Sequence, residues 1–196
     1  MILVLFGPPG SGKGTQANRV AVRLRLPHIA TGDMLRAEVA RGSVLGREAG
    51  PIMERGELVS DDLIVRVIES RLSQPDAQAG ALLDGFPRTV PQAEALDAML
   101  RRANRRVDAV VSLDVDDDEL RRRVLRRAQL EGRADDTVEA LEQRLRVYRD
   151  ETAPVLDHYR RTGTRIVTVN GVGDVDAVTE RISAALAADG GEGAAA

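Results

Sequence analysis

Residues 2–6 form a short unbroken apolar run, the pattern of a strand buried on both faces. Apolar positions then recur at helical spacing over residues 13–25, where Ala17, Val20, Ala21 and Leu24 share one face. The same reading predicts further strands at 28–30, 81–84, 107–113 and 165–169. It predicts helices at 34–41, 61–72, 90–101, 117–127, 137–161 and 175–187. In the longest of these, Leu141, Leu145, Tyr148, Thr152, Val155 and Tyr159 make a stripe at helical spacing, which reads as core. Strands alternating with helices imply an α/β fold, a parallel sheet covered by helices on both faces. In such sheets ligands bind beyond the carboxyl ends of the strands.

Two stretches break the alternation. Residues 30–59 look helical with no strand among them, and 128–136, AQLEGRADD, are polar with no apolar period. Both read as excursions from the core. The closing DGGEGAAA, 189–196, is expected to be a disordered tail. No internal repeat is visible.

Composition narrows the classes. The 196 residues fit one domain, 1–196, with small insertions. Aromatics are 2%, so the core must be aliphatic. A net charge of -3 argues against a general nucleic-acid binder. No apolar run approaches the roughly 18 residues of a membrane helix. The apolar N-terminus lacks a basic leader and runs into a glycine-rich turn, so it reads as a strand and not a signal peptide. With no cysteine, disulfides and thiolate metal sites are excluded. A cytoplasmic monomer without nucleic-acid or membrane partners is expected. Of the 28 basic residues 27 are Arg, and Lys13 is the one Lys.

That lysine lies in Gly7-Pro-Pro-Gly-Ser-Gly-Lys-Gly-Thr15, which follows the first strand and opens the first helix. Gly7, Gly12 and Lys13 have the spacing of a phosphate loop. Glycines let backbone N–H groups turn inward around phosphate oxygens, and the helix N-terminus adds partial positive charge. Lys13 adds a compact ammonium that can follow a phosphoryl group, for which a planar guanidinium is not equivalent. Gly14 stands where the common pattern has Ser or Thr, and the hydroxyl comes at Thr15.

This loop, with Thr31-Gly32-Asp33-Met34-Leu35-Arg36 and Leu82-Leu83-Asp84-Gly85-Phe86-Pro87-Arg88, resembles the adenylate kinase family. The landmarks run in order from the first residue to about Leu186. The resemblance implies a P-loop three-layer α/β/α core with a five-stranded parallel sheet. It also implies an AMP-binding insertion at 30–59 and a lid over ATP, here a short one at 126–136 with no room or cysteine for zinc. Gly10, Ser11, Gly12, Lys13, Gly14 and Thr15 match the cradle of the ATP phosphates, and Gly173 a backbone contact to the ATP base. Thr31, Arg36, Glu57, Leu58, Val59, Gly85, Phe86, Pro87, Arg88 and Gln92 match AMP-site positions. Glu57 replaces a basic residue often seen there, and is kept because that contact looks like a backbone one. Arg127, Arg133 and Arg144 match arginines that converge on the phosphates, Arg127 on the ATP side and Arg133 and Arg144 on the AMP side.

Transfer of a phosphoryl group from ATP to AMP, giving ADP, needs alignment and charge neutralisation more than covalent chemistry. Lys13, Arg88, Arg127, Arg133 and Arg144 are the expected catalytic set. Arginines such as the 121–123 run read as solvated surface. Asp84 ends a buried strand, where a carboxylate is costly unless paired. It reads as holding Mg²⁺ through water, or as a strand-end cap. Asp135 and Asp136 read equally as clamps on lid arginines or as helix N-caps before Thr137. His28 and His158 show no metal-ligand spacing. Thr31 and Thr89 favour AMP over a pyrimidine monophosphate, whose kinases carry Ala and Asn there. The competing readings are a UMP/CMP kinase and a non-catalytic nucleotide switch.

Overall fold

The computed structural model describes residues 1–131 and 137–188. In chain order the elements are β1 (Ile2–Phe6), α1 (Lys13–Leu24), β2 (His28–Ala30), α2 (Thr31–Ala40), α3 (Val44–Glu54) and α4 (Asp61–Leu72). Then come β3 (Ala81–Asp84), α5 (Val90–Arg102), β4 (Ala109–Asp114), α6 (Asp117–Glu131) and α7 (Val138–Val147). The chain continues through α8 (Pro154–Arg161), β5 (Arg165–Asn170) and α9 (Val175–Ala187). The strands form one parallel five-stranded sheet in the order β2-β3-β1-β4-β5.

β1 is central, with Val4 paired to Leu83 on one side and Val110 on the other. The chain therefore leaves β1 in one direction for β2 and β3, then in the other for β4 and β5. A crevice opens at the carboxyl end of β1 where the direction changes. Every residue of β1 is buried, and its side chains alternate between two cores. Ile2, Val4 and Phe6 join Ile68 of α4, Leu96 of α5 and Tyr159 of α8. Leu3 and Leu5 join Ala17 and Val20 of α1 and Ile182 of α9. A third small cluster, including Leu120, Val124, Leu141 and Leu145, binds α6 to α7. Among the described residues no helix is long and apolar enough to cross a membrane.

Three local expectations change. The predicted helix 137–161 is divided: Ala153 N–H donates to Tyr148 O at 2.7 Å, the bond of a π turn over Tyr148–Thr152, and Pro154 opens α8. Proline has no N–H to continue the ladder, and the extra residue of the π turn absorbs the defect. Leu24 is 37% exposed; the chain turns at left-handed Arg25, and Leu26 takes the apolar contact. α7 is capped by Thr137, whose side chain accepts from Ala140 N–H at 3.1 Å. Asp135 and Asp136 lie outside the described residues, as do Arg133, the 132–136 part of the predicted 126–136 lid and the 189–196 tail.

The predicted excursion at 30–59 is a pair of packed helices, α2 and α3. Ser43 caps α3 by accepting from Gly46 N–H at 2.9 Å. A Cβ at Gly46 would overlap the Glu38 carbonyl and lie 2.6 Å from Val39 N. Glycine to alanine inside a helix ordinarily stabilises by about 1 kcal/mol. Gly46→Ala is expected to do the reverse, costing ~1–3 kcal/mol through overpacking and lowering the melting temperature in a circular-dichroism melt. An unchanged or raised melting temperature would show that α2 and α3 are not packed this closely.

Candidate active site

The carboxyl ends of β1, β2 and β3 open into a cavity of about 720 Å³, within the ordinary range of small-molecule sites. Its floor is the turn after β1. Gly10 takes φ 83, and a Cβ there would meet Leu120 O at 2.9 Å, so the turn tolerates no side chain at that point. α1 starts at Lys13 with no side-chain cap, so the first N–H groups of the helix have no partner within it. Lys13 Nζ donates to Gly7 O at 2.7 Å and Pro8 O at 2.9 Å, which folds the ammonium over the loop. Gly10, Gly12, Lys13, Gly14 and Thr15 line the cavity. Ser11 does not; it is 1% exposed and supports the loop from behind, its N–H bonded to Pro8 O.

The second wall comes from β3 and the turn after it. Gly85 has φ 76, and its carbonyl accepts from Thr31 Oγ1 at 2.8 Å and Arg88 Nε at 2.7 Å. A Cβ on Gly85 would lie 2.9 Å from both Arg88 Nη2 and Thr31 Oγ1. Arg88 is thus held in one plane by its own turn, with the Phe86–Pro87 bond cis. The Thr31 hydroxyl proton is spent on this carbonyl, so toward a ligand it offers only lone pairs. Arg36 is steadied by Asp33 at 2.6 Å. The Glu57 side chain is exposed and paired with Arg55 at 2.7 Å, and Glu57, Leu58 and Val59 line the cavity. Gln92 is 2% exposed and lines the same wall.

Lys13, Arg36, Arg88, Arg127 and Arg144 therefore share one cavity, with Asp84 at its base. Burial lowers the Lys13 pKa to about 8; Asp84 opposes the shift, and Arg88, Arg127 and Arg144 add to it. Burial also pushes Arg88 below the ordinary arginine value, with Asp84 holding it up and Arg144 and Arg36 pushing it down. The site is strongly cationic and fits a polyanion. Asp84 is not a helix cap, since α5 is capped by Thr89.

Some placements differ from expectation. Gly173 is not in the cavity wall; with φ 116 it sits in a loop that Arg181 ties to the carbonyls of Asn170 and Val172. Arg123, predicted to be solvated surface, is half-buried. It donates to Ser11 O at 3.3 Å, Gly171 O at 3.0 Å and Glu119 at 2.7 Å, joining the phosphate loop to the turn after β5. Arg121 and Arg122 are exposed as expected. His28, given no role from sequence, lines the cavity with Nε2 3.4 Å from Asp84 Oδ2. The strand register brings it there by pairing His28 with Leu82 and Ala30 with Asp84. Tyr148 and Thr152, read as core, also line the cavity, because the π turn brings them to its edge.

Comparison with known proteins gives these residues a context. The sequence model described as adenylate kinase matches residues 5–164. The adenylate kinase of Stenotrophomonas maltophilia (strain K279a) is 54% identical over 188 residues, covering 96% of this chain and 100% of that protein. The adenylate kinase of Xanthomonas euvesicatoria pv. vesicatoria (strain 85-10) is 53% identical over 186 residues, covering 95% and 99%. The family match starts inside β1, just before the phosphate loop, and runs through both walls of the cavity. By that match, and by relatives aligned nearly end to end, the chain belongs to the adenylate kinase family.

Proposed function

We propose that this enzyme transfers the terminal phosphoryl group of ATP reversibly to AMP, giving two ADP, and so balances the adenine nucleotides. The observation that carries this reading is the gathering of Lys13, Arg88, Arg127 and Arg144 in one cavity between the phosphate loop and the 85–88 turn. A nucleotide switch needs one phosphate site. Here a second wall, built from α2 and the turn after β3, faces the first.

The division of labour follows from position. Gly10 to Thr15 hold the ATP phosphates, with Ser11 contributing backbone only. Lys13 travels with the transferring phosphoryl, exchanging its carbonyl partners for phosphate oxygens. Arg36 and Arg88 hold the AMP phosphate, and Thr31, Leu58, Val59 and Gln92 its base. Arg127 and Arg144 close on the phosphates between, and Arg133 is assigned with them on sequence alone. Guanidinium groups grip phosphate bidentately, and Arg88 is already fixed in plane. Orientation set in advance costs nothing at the moment of reaction. Helices α2 and α3 form the AMP-side subdomain, and the 126–136 segment is the lid that excludes water, which would otherwise take the phosphoryl group.

The residues at the base of the cavity fit Mg²⁺ arriving with ATP. The Cβ that Gly14 lacks would lie 3.5 Å from Asp84 Oδ2, so α1 begins close against the carboxylate, and Thr15 stands on the cavity wall. Among the described residues no group of three or more His, Cys, Asp or Glu could hold a metal ion. A cation held at Asp84 would take the rest of its shell from phosphate and water, as Mg²⁺ commonly does. When bound, Mg²⁺ neutralises phosphate charge. Zinc has no part in this reading, and the enzyme is assigned to the cytoplasm as a monomer.

Coupled detection of ADP tests the proposal. ADP should form from ATP and AMP with Mg²⁺, not form without AMP, and persist after zinc-selective chelation. UMP or CMP outperforming AMP would overturn the acceptor, and ADP formation without AMP would overturn transfer altogether. Arg36→Ala is expected to raise KM for AMP roughly tenfold or more, and Arg127→Ala to lower kcat with little change in AMP affinity. Steady-state kinetics giving the opposite split would refute this allocation.

Lys13 carries a further prediction. An unfolded lysine keeps its proton to about pH 10.5, and the folded one only to about 8. Between these values the unfolded chain holds more protons, so stability rises with pH there, while below about 8 the burial cost is fully present. Lys13→Met removes this term. Its turnover should fall at least about 100-fold. Its melting temperature relative to the native protein should be highest near pH 7 and lose ground toward pH 10, by up to about 3 kcal/mol in stability. Parallel melting curves across that range would show that Lys13 is not held at a lowered pKa.

A further inference from the structure

The Gln92 side chain makes two hydrogen bonds of opposite sense. Nε2 donates to Asp61 Oδ1 at 2.6 Å, and Oε1 accepts from Arg88 N–H at 2.7 Å. Part of this arrangement is an ordinary helix start. Thr89 caps α5 by accepting from Gln92 N–H at 3.2 Å, and a glutamine three residues after the cap commonly reaches back to the backbone. Capping does not account for Asp61. It opens a different helix, α4, stands 31 residues away, and receives the Thr89 hydroxyl on its other oxygen at 3.0 Å.

The chemistry of the partners removes a freedom that a glutamine usually has. A carboxylate only accepts, and a backbone N–H only donates. Turning the amide over would set carbonyl against carboxylate and NH₂ against N–H. Asp61 and the Arg88 backbone thus lock the amide in one sense. A primary amide has two donors and two acceptor positions. One of each is used, which leaves one N–H and one lone pair for a ligand, in fixed order, on a residue that lines the cavity.

Purine edges differ in that order. A 6-amino purine presents an acceptor at N1 beside a donor at the amino group, and a 6-oxo purine presents the reverse. An amide locked in one sense can match only one of the two, and with AMP as the proposed acceptor that is the first. A phosphate held at Arg36 and Arg88 would limit how far the base can turn to compensate. We infer that Asp61 is a positioning residue that sets selectivity for 6-amino over 6-oxo purine monophosphates by fixing the sense of the Gln92 amide. Asp61 does this from behind the wall; it is not among the cavity-lining residues. The inference rests on the proposed placement of the AMP base at Gln92.

IMP is the probe, since hypoxanthine keeps the adenine outline and reverses the edge. The test compares kcat/KM for AMP and IMP in the native enzyme and in Asp61→Asn. Asparagine can turn either its oxygen or its NH₂ toward Gln92, so one of the two locks is lost. The AMP preference is expected to fall roughly tenfold, the equivalent of about 1.4 kcal/mol. Part of that change should be a rise in IMP turnover, which structural damage does not produce, and KM for ATP should hold. If both acceptors decline together at a constant ratio, Asp61 is only structural and the inference is wrong. Should Asp61→Asn fail to fold, the side-chain amide of Gln92 can be followed by ¹H–¹⁵N NMR in the native protein. One amide proton shifted downfield by the carboxylate, and a second moved by AMP but not by IMP, supports the lock; both at free-amide positions refutes it. Gln92→Ala separates the two levels. If KM for AMP is unchanged in that variant, the base-site placement itself fails. If KM rises while Asp61→Asn keeps the native ratio, only the lock fails.

Discussion

Like charges crowded into a half-dry cleft repel, and most of this structure can be read as the means of holding them there. Burial, with Arg88, Arg127 and Arg144, pushes the Lys13 pKa down, burial with Arg144 and Arg36 does the same to Arg88, and Asp84 opposes both shifts. None of these groups can relax far. Lys13 is tied to two carbonyls of its own loop, Arg88 to the carbonyl of its own turn, and Asp84 ends a strand with partners on both sides. The two-sided burial of β1 supplies the rigidity, because a strand packed above and below cannot shift without disturbing both cores.

The connections around this centre are polar and span long sequence distances. Arg123 ties α6 to the phosphate loop and to the turn after β5. Gln16, 3% exposed, donates to Val175 O at 3.0 Å and accepts from Thr179 Oγ1 at 2.8 Å, fastening α1 to α9. Asp61 joins α4 to the start of α5 through Thr89 and Gln92. Each is a buried or half-buried polar group whose partners are fully specified, and such networks fix one arrangement where apolar packing alone would allow several.

Much of this was legible in the sequence where one residue type has one physical use. The unbroken run 2–6, the glycine loop and the lone lysine mark β1, the floor and the start of α1, and all three lie where predicted. The 85–88 turn was likewise marked by its own residues. What was not legible depends on partners distant in the chain. Arg123 looks like its exposed neighbours Arg121 and Arg122 until α6 is laid against the phosphate loop. Asp61 reads as an ordinary acidic first-turn residue. His28 carries no local signal and reaches the cavity through strand register. The π turn was hidden because the apolar stripe from Leu141 to Tyr159 keeps nearly helical spacing through it. Gly173 is a position assigned by resemblance alone, in the turn after β5 and outside the lining of the described cavity.

The cationic cleft couples the stability of the fold to its substrates. Nucleotide phosphates would bring negative charge to a cluster of like charges, so each bound substrate relieves part of the repulsion within it. Ligands that bind only the folded chain add stability in proportion to the logarithm of their concentration over Kd, about 2.7 kcal/mol at a hundredfold excess. In a compartment rich in adenine nucleotides the working protein is therefore a ternary or binary complex with a different thermal limit from the purified chain. Starvation that drains those nucleotides would withdraw stability and substrate together, tying the lifetime of the enzyme to the pool it equilibrates.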